Sequence, residues 1–327
     1  MMGRGERRSV EGAAVAGKPK KREVVVDRRE AGLRLDLFLA NNLPDLSRKQ
    51  AKRLVDGRRV AVNGRIEALA SRELAPGERV SVLLPEEGEE RRPPAVTILY
   101  EDGDCLVVAK PPGLPSGPTK DPARPHAAAL AEALTGRRLT LLHRLDRDTS
   151  GALLLAKTSP FAQALTRAFR ERTVEKGYLA LARGRVPASF EVVLHLKEGA
   201  AGRVLVVRSG GVRADTAFRT LAHRGGYSLV EARPRTGRMH QIRVQLAHAG
   251  HPILGDSLYG GDAAVPVGAG EEPVGRQMLH AWTLAFDHPT LARRLRVEAP
   301  VPDDFRALAE ALFGKPLPLR VRDETPE

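Results

Sequence analysis

His143-Arg144-Leu145-Asp146-Arg147-Asp148-Thr149-Ser150-Gly151 is the densest polar cluster in the chain, and it runs directly into the apolar stretch Ala152–Ala156. Polar groups on a loop held by a rigid strand are where active sites concentrate. Short polar side chains also bond local backbone, and turn chemistry of this kind accounts for Asp148, Thr149 and Ser150. Asp146 taken alone admits the same explanation. Ser150 stands outside any G-x-S-x-G elbow and no base is marked for it, which argues against a serine hydrolase.

Two clusters downstream carry further chemistry. Arg235-Thr236-Gly237-Arg238-Met239-His240-Gln241-Ile242-Arg243 opens a predicted helix over Met239–Ala249, closed by Gly250. His240 and Arg243 share one side of it, and Ile242, Leu246 and Ala249 share another. His240, His248 and His251 invite a metal reading. With no H-E-x-x-H, no cysteine nearby and Asp256 beyond a turn, no metal site is expected. Glu175-Lys176-Gly177-Tyr178 is the other cluster. One of only four tyrosines, Tyr178 fits a core position at a strand start or an aromatic face on which a base stacks.

Around these clusters the chain from 96 to 313 reads as α+β. Leu106–Ala109, Leu153–Ala156, Tyr178–Ala182, Val192–Leu196, Val204–Val207, Phe218–Leu221 and Ser228–Ala232 are strand-like, and Ser159–Glu171 is helical. Without regular βαβ alternation or a G-x-G-x-x-G, a doubly wound nucleotide-binding fold has little support. Residues 85–95, rich in Pro and Glu, read as a linker and 314–327 as a mobile tail. At the other end, 1–22 read as a basic disordered tail and 23–84 as a small module. In that module Leu33 to Leu43 suits a short helix. Ser47 and Gln50 form a capping box for a second helix, which Gly57 stops. Val60 and Val62 lead into an Asn63-Gly64 hairpin, closed by a strand through Val80, Val82 and Leu84. Arg48, Lys49, Lys52 and Arg53 lie on one side of the second helix, as an ordinary solvated face or as a surface for RNA phosphates.

Composition sets the outer bounds. The chain has 327 residues, 42% hydrophobic and 28% charged, enough for a sizeable core in two domains. Its net charge of +13 favours an anionic partner, nucleic acid ahead of membrane surface. No apolar run approaches the roughly 20 residues of a membrane span. The lone Cys105 excludes a disulfide framework and, with no secretory signal evident, fits a cytoplasmic protein.

His143 to Gly151 matches H-R-L-D-x-x-T-S-G, and so resembles the signature of the RluA-type RNA pseudouridine synthases. Tyr100-Glu101-Asp102 with Lys110-Pro111-Pro112-Gly113-Leu114, Lys176-Gly177-Tyr178, Thr236 to Arg243, Gly250 to Asp256 with Tyr259-Gly260, Leu279-His280-Ala281 and Ala299 to Pro302 follow in the family's order. The small module resembles an S4-like RNA-binding domain through Arg34-Leu35-Asp36, Ser47-Arg48, Gly57, Val60 to Gly64 and Pro76 to Val80.

The resemblance implies an S4-like domain ahead of a catalytic domain built on a mixed, mostly antiparallel sheet with flanking helices. It implies an isomerase that converts uridine in RNA to pseudouridine, a reaction that needs no cofactor. It makes Asp146 the catalytic aspartate, Arg243 its partner, and Tyr178 the ring that stacks on the uracil. Arg144 would enter the RNA as the uridine leaves its stack, and Lys176 would contact RNA. A cation beside a carboxylate favours the ionised form that such chemistry needs. The expected partner is RNA, by analogy large-subunit (23S-type) ribosomal RNA with transfer RNA as the alternative, and no obligate protein partner is evident. A non-catalytic S4-type assembly factor is the competing reading. Two departures from the family pattern are Met239 and Gln245, the latter read as a changed group near the RNA. Ser116-Gly117-Pro118 stands where a His-Pro pair is usual.

Overall fold

The computed structural model describes residues 20–44, 46–56, 59–67, 69–84, 95–268 and 270–317. The chain divides into two compact units, 1–91 and 92–327. In the first, β1 (Lys20–Val25), α1 (Leu35–Asn42), α2 (Arg48–Asp56), β2 (Val60–Val62), β3 (Arg65–Ile66) and β4 (Arg79–Leu84) form a four-stranded sheet, ordered β1-β4-β2-β3, with two helices. Ser47 and Gln50 cap α2 reciprocally, through Ser47 N–H to Gln50 Oε1 at 2.8 Å and Gln50 N–H to Ser47 Oγ at 3.3 Å. Ala51, Leu54 and Val55 of α2 are buried against Leu35, Phe38 and Leu39 of α1 and Val60, Val80 and Val82 of the sheet. Asn63 (φ +51°) and Gly64 (φ +79°) take the left-handed pair of conformations that a two-residue hairpin requires.

The basic tail expected over 1–22 is too long. Lys20, Lys21 and Arg22 pair with Leu84, Leu83 and Val82, because β4 offers a free edge that satisfies their backbone groups. Residues 1–19, residues 85–94 of the linker expected over 85–95, and the Gly57 stop lie outside the described residues.

The second unit contains β5 (Thr97–Glu101), β6 (Cys105–Lys110), α3 (Ala127–Thr135), β7 (Thr140–Leu141), β8 (Ser150–Ala156), α4 (Ser159–Glu171), β9 (Glu175–Arg183), β10 (Ser189–Glu198) and β11 (Val204–Val207). It continues with β12 (Val212–Arg224), β13 (Tyr227–Pro234), α5 (Gln241–His248), β14 (Ala264–Val267), β15 (Gly270–Pro273), β16 (Leu279–His288), β17 (Arg293–Glu298) and α6 (Asp303–Phe313). Eleven strands make one sheet with the main path β11-β10-β12-β13-β9-β16-β8-β6-β5, while β17 pairs with β16 and β7 with β8. Only β16–β8 is parallel, so the sheet is mixed and mostly antiparallel. Strand β8 is buried along its whole length, which explains an uninterrupted apolar run where alternation would mark a half-exposed strand.

Helices cover the sheet. Phe161 and Leu165 of α4 pack on β6, β8 and β16. Ala127 and Ala131 of α3 pack on Leu106, Val108 and Leu153. Ile242 and Leu246 of α5 join Phe305 and Leu308 of α6 over β9 and β13. The mobile tail expected over 314–327 begins too early, since Leu317 packs on this last cluster; residues 318–327 lie outside the described residues. Among the described residues no helix is long and apolar enough to cross a membrane.

Candidate active site

Asp146 sits on the loop between β7 and β8, and the carbonyls from Leu145 to Asp148 are all pinned. The Ser116 hydroxyl donates to Leu145 O and accepts from Leu145 N–H, both at 2.9 Å. The buried Lys110 ammonium donates to Arg147 O at 2.9 Å, Pro111 O at 2.9 Å and Leu114 O at 2.8 Å. Burial pushes Lys110 down to about 7, even with Asp148 and Asp146 pulling it upward. Arg276 reaches Asp148 O at 3.2 Å, and Leu145 is itself buried in the core. Gly151, at φ +122°, closes the loop where β8 meets β16; a Cβ there would strike the Ala281 carbonyl, so only glycine fits. Asp148 spends its carboxylate on neighbouring Arg147, as turn chemistry predicts.

Asp146 is therefore presented by a rigid loop with its side chain 24% exposed. Arg243, 97 residues away in sequence, donates from Nη1 to Asp146 Oδ2 at 2.8 Å. Its other two contacts form a fork onto the fully buried Asp256, Nε to Oδ2 at 2.7 Å and Nη2 to Oδ1 at 2.8 Å. Burial opposes the guanidinium charge, but the bonds to Asp256 and the field of Asp146 outweigh it and hold Arg243 above its ordinary range. The bidentate bond fixes the guanidinium plane, and so fixes where Nη1 meets Asp146.

The helix that delivers Arg243 starts at Gln241, two residues later than periodicity predicts. Gln241 itself sets that start. Its Oε1 accepts from Arg238 N–H at 3.0 Å and Thr236 Oγ1 at 2.7 Å, and its Nε2 donates to Asp215 O and Thr216 Oγ1. His240 before it is left-handed, at φ +53°. Gln245, read from sequence as a group near RNA, is fully buried instead. It accepts from Thr216 Oγ1 at 2.6 Å and donates to the Val192 and Ala214 carbonyls, tying α5 to β10 and β12. Met239, the other departure, is exposed.

Tyr178 lies half-buried on β9, between Ala232 of β13 and Ala281 of β16. Burial raises its hydroxyl well above the ordinary phenol range, and the Asp146 charge adds to this. Lys176, two residues earlier, is pushed down to about 8 by burial, with Nζ 3.4 Å from Thr236 O. Arg144 is exposed on the same loop as Asp146. On α2 of the first unit, Arg48 bonds Asp36 through Nε at 3.1 Å, so this cation is partly committed to the fold, while Lys52 is exposed. The side chains of Lys49 and Arg53 lie outside the described residues.

Other chemistry suggested by the residues has structural explanations. The Ser150 hydroxyl meets His280 Nδ1 at 3.0 Å, so a base is present that sequence did not mark; both groups are buried, and His280 Nε2 faces Ala299 O. The pair ties β8 to β16 rather than offering a nucleophile. His248 is exposed and His251 bonds Arg183 O, so the three histidines do not converge. Asp102, Cys105 and His288 bring their ligand atoms within 4.8 Å of one another. Asp102 there already accepts from Tyr100 Oη and the Asp104 and Cys105 N–H groups, and burial pushes the Cys105 thiol up.

A carboxylate held on one oxygen, with its charge reaching a tyrosine hydroxyl, suits an enzyme site. The comparisons agree. Residues 104–248 match the RNA pseudouridylate synthase family, and residues 33–80 match the S4 domain. The chain is 36% identical over 302 residues to ribosomal large subunit pseudouridine synthase D of Vibrio parahaemolyticus, spanning 86% of this chain and 92% of that one. It is 32% identical over 305 residues to the protein of the same name from Escherichia coli, spanning 88% and 93%. The solved structure of human RNA pseudouridylate synthase domain containing 4 superposes with a TM-score of 0.54 at 29% identity, over 66% of this chain and 92% of that one. The chain belongs to the RNA pseudouridine synthase family, with an S4 domain ahead of the catalytic one.

Proposed function

We propose that the chain acts in the cytoplasm on large-subunit ribosomal RNA, isomerising selected uridines with Asp146 as the catalytic carboxylate. The substrate class rests on the printed names of the bacterial relatives, which share identity over most of both chains. The assignment of Asp146 rests on one observation, the 2.8 Å bond from a guanidinium already locked onto Asp256. In the reaction C1′–N1 breaks, the uracil turns, C1′ bonds C5, the C5 proton leaves and N1 gains one. Both attack at C1′ and proton removal at C2′ require an ionised carboxylate, and the Arg243 bond fixes its orientation. Tyr178 stacks on the uracil, and Arg144 and Lys176 contact RNA. Arg144 occupies the space that the uridine vacates, offsetting an unstacking cost of a few kcal/mol. The basic side of α2 holds RNA phosphates, which positions the enzyme without reading sequence.

Asp146→Asn keeps volume and removes the anion. Turnover on a ribosomal RNA transcript should fall below detection, with RNA affinity and unfolding midpoint nearly unchanged. Wild-type turnover in this variant would return Asp146 to a turn residue. Pseudouridine mapping in cells lacking the gene identifies the RNA, and lost sites confined to transfer RNA would overturn the ribosomal assignment.

A further inference from the structure

His240 contacts the same carboxylate from a second direction. Its Nε2 lies 3.8 Å from Asp146 Oδ2, the oxygen that Arg243 also holds. We propose that His240 is a positioning residue: its Nε2–H braces the Oδ2 side of Asp146, and Oδ1 is left as the reacting oxygen. The proposal rests on Asp146 performing the chemistry.

The other ring nitrogen decides where the proton sits. His240 Nδ1 is 2.9 Å from the Tyr259 hydroxyl, and that hydroxyl accepts Val204 N–H at 2.8 Å. An amide only donates, so the Tyr259 oxygen accepts there, and its own proton remains to be placed, with Nδ1 as the acceptor in reach. The reverse polarity would leave a buried phenol proton without a partner among the described residues. Nδ1 thus accepts, and Nε2 carries the hydrogen toward Asp146. Burial keeps the ring below the ordinary histidine range, against the pull of the Asp146 carboxylate, so one proton is held rather than two.

The ring is well fixed. It meets Tyr259 edge-on, with centroids 5.7 Å apart and planes at 80°. Tyr259 also lies under the Arg243 guanidinium at 5.2 Å, so one tyrosine orients both donors to Asp146. His240 reaches this place only through a left-handed backbone, which non-glycine residues seldom adopt and which clusters at functional sites. The 3.8 Å gap is too long for a hydrogen bond, and such contacts often tighten once substrate binds. Among the described residues none donates to Asp146 Oδ1.

The test is single-turnover kinetics at saturating RNA with the full chain. His240→Leu should slow the step by about 10- to 100-fold, the scale of a misplaced reacting group, with RNA affinity within about twofold of wild type. His240→Gln, which returns an N–H donor, should recover most of that loss. His240→Gly suits the left-handed backbone and should remain as slow as Leu. If Gly restores turnover, or if Leu is as fast as wild type, the proposal is wrong. Side-chain ¹⁵N spectra of the wild-type chain give a readout independent of activity: His240 should show a protonated Nε2 and a bare Nδ1, and the opposite tautomer would overturn the assignment. Asp146→Asn separates the two readings. If it is inactive while His240→Leu is normal, only the role of His240 falls; if it is active, both fall.

Discussion

Each unit of this chain contains an aspartate–arginine cluster, and the two are built in opposite senses. In the S4 unit one buried carboxylate, Asp36, is bracketed by two solvent-facing arginines, Arg34 and Arg48. In the catalytic unit one buried arginine, Arg243, is bracketed by two carboxylates, Asp256 inside and Asp146 at the surface. The first cluster carries a surplus of positive charge and its carboxylate is fully engaged. The second carries a surplus of negative charge, and among the described residues its outer carboxylate accepts a hydrogen bond on one oxygen only, from Arg243. Identical chemistry gives a fully bonded carboxylate in one place and a partly exposed one in the other, because burial falls on a different member of the pair.

The sharpest way to break this comparison is Arg243→Met. It strands two carboxylates, one of them with no access to solvent, and removing one partner of a buried pair costs about 3–5 kcal/mol. Urea unfolding followed by Trp282, the only tryptophan and a core residue of this unit, should show that loss, with turnover abolished. A small change would mean that Asp256 is less isolated than its burial implies.

Acidification should separate the units next. All nine histidines lie in the catalytic unit. Burial holds His143 down at about 3, helped by the nearby Lys176 charge, and holds His280 at about 4, against 6.5 when exposed. Below pH 6.5 the unfolded chain binds protons that the folded unit refuses. The stability these rings contribute is complete above pH 6.5 and is lost as pH falls toward 4 and 3, at about 1.4 kcal/mol per pH unit for each ring kept neutral. The S4 unit should lose stability only further down. There the bond from Arg34, joined by that from Arg48, holds Asp36 below the ordinary carboxylate range, so its contribution disappears as pH drops through that lowered value. Trp282 fluorescence reports the first loss, and peptide-resolved hydrogen exchange, corrected for intrinsic rates, reports the second.

At the nucleotide, Tyr178→Ala should weaken RNA binding by about 1–3 kcal/mol of lost stacking while Tyr178→Phe binds normally. Equal affinities in a filter-binding titration would remove the stacking role.

The smallest effect belongs to the S4 cluster. Arg48→Ala leaves Arg34 on Asp36 and removes an exposed partner, so it should cost less than about 1 kcal/mol of stability. If its remaining guanidinium nitrogens meet RNA phosphate as proposed, the slope of log K against log salt should become shallower by about 0.7–0.9.

Much of this was legible along the chain. The capping box of α2, the Asn63-Gly64 hairpin, helix α4 and the strand at Val204–Val207 are local, set by side chains within a few residues of one another. What pattern missed is informative. The helix predicted from Met239 starts at Gln241, because Gln241 bonds Thr236, Asp215 and Thr216, partners no periodicity count includes. Gln245 looked like a group facing RNA, since nothing in a helix repeat shows that two strand carbonyls wait for its amide. Ser116 stood out only as a departure from a family pattern, whereas its hydroxyl holds both backbone groups of Leu145.

By itself, then, the sequence determined the kinds of elements, the family and the residues able to do chemistry, because capping, alternation and signature spacing are short-range. Tertiary structure alone decided which carboxylate Arg243 holds. Asp146 and Asp148 sit two residues apart on one loop. The folding of a long sheet brings Arg243 to the first across 97 residues and leaves the second to its neighbour Arg147. That choice depends on packing between distant strands and helices, and on how much water each carboxylate retains, and neither is written in the spacing of residues along the chain.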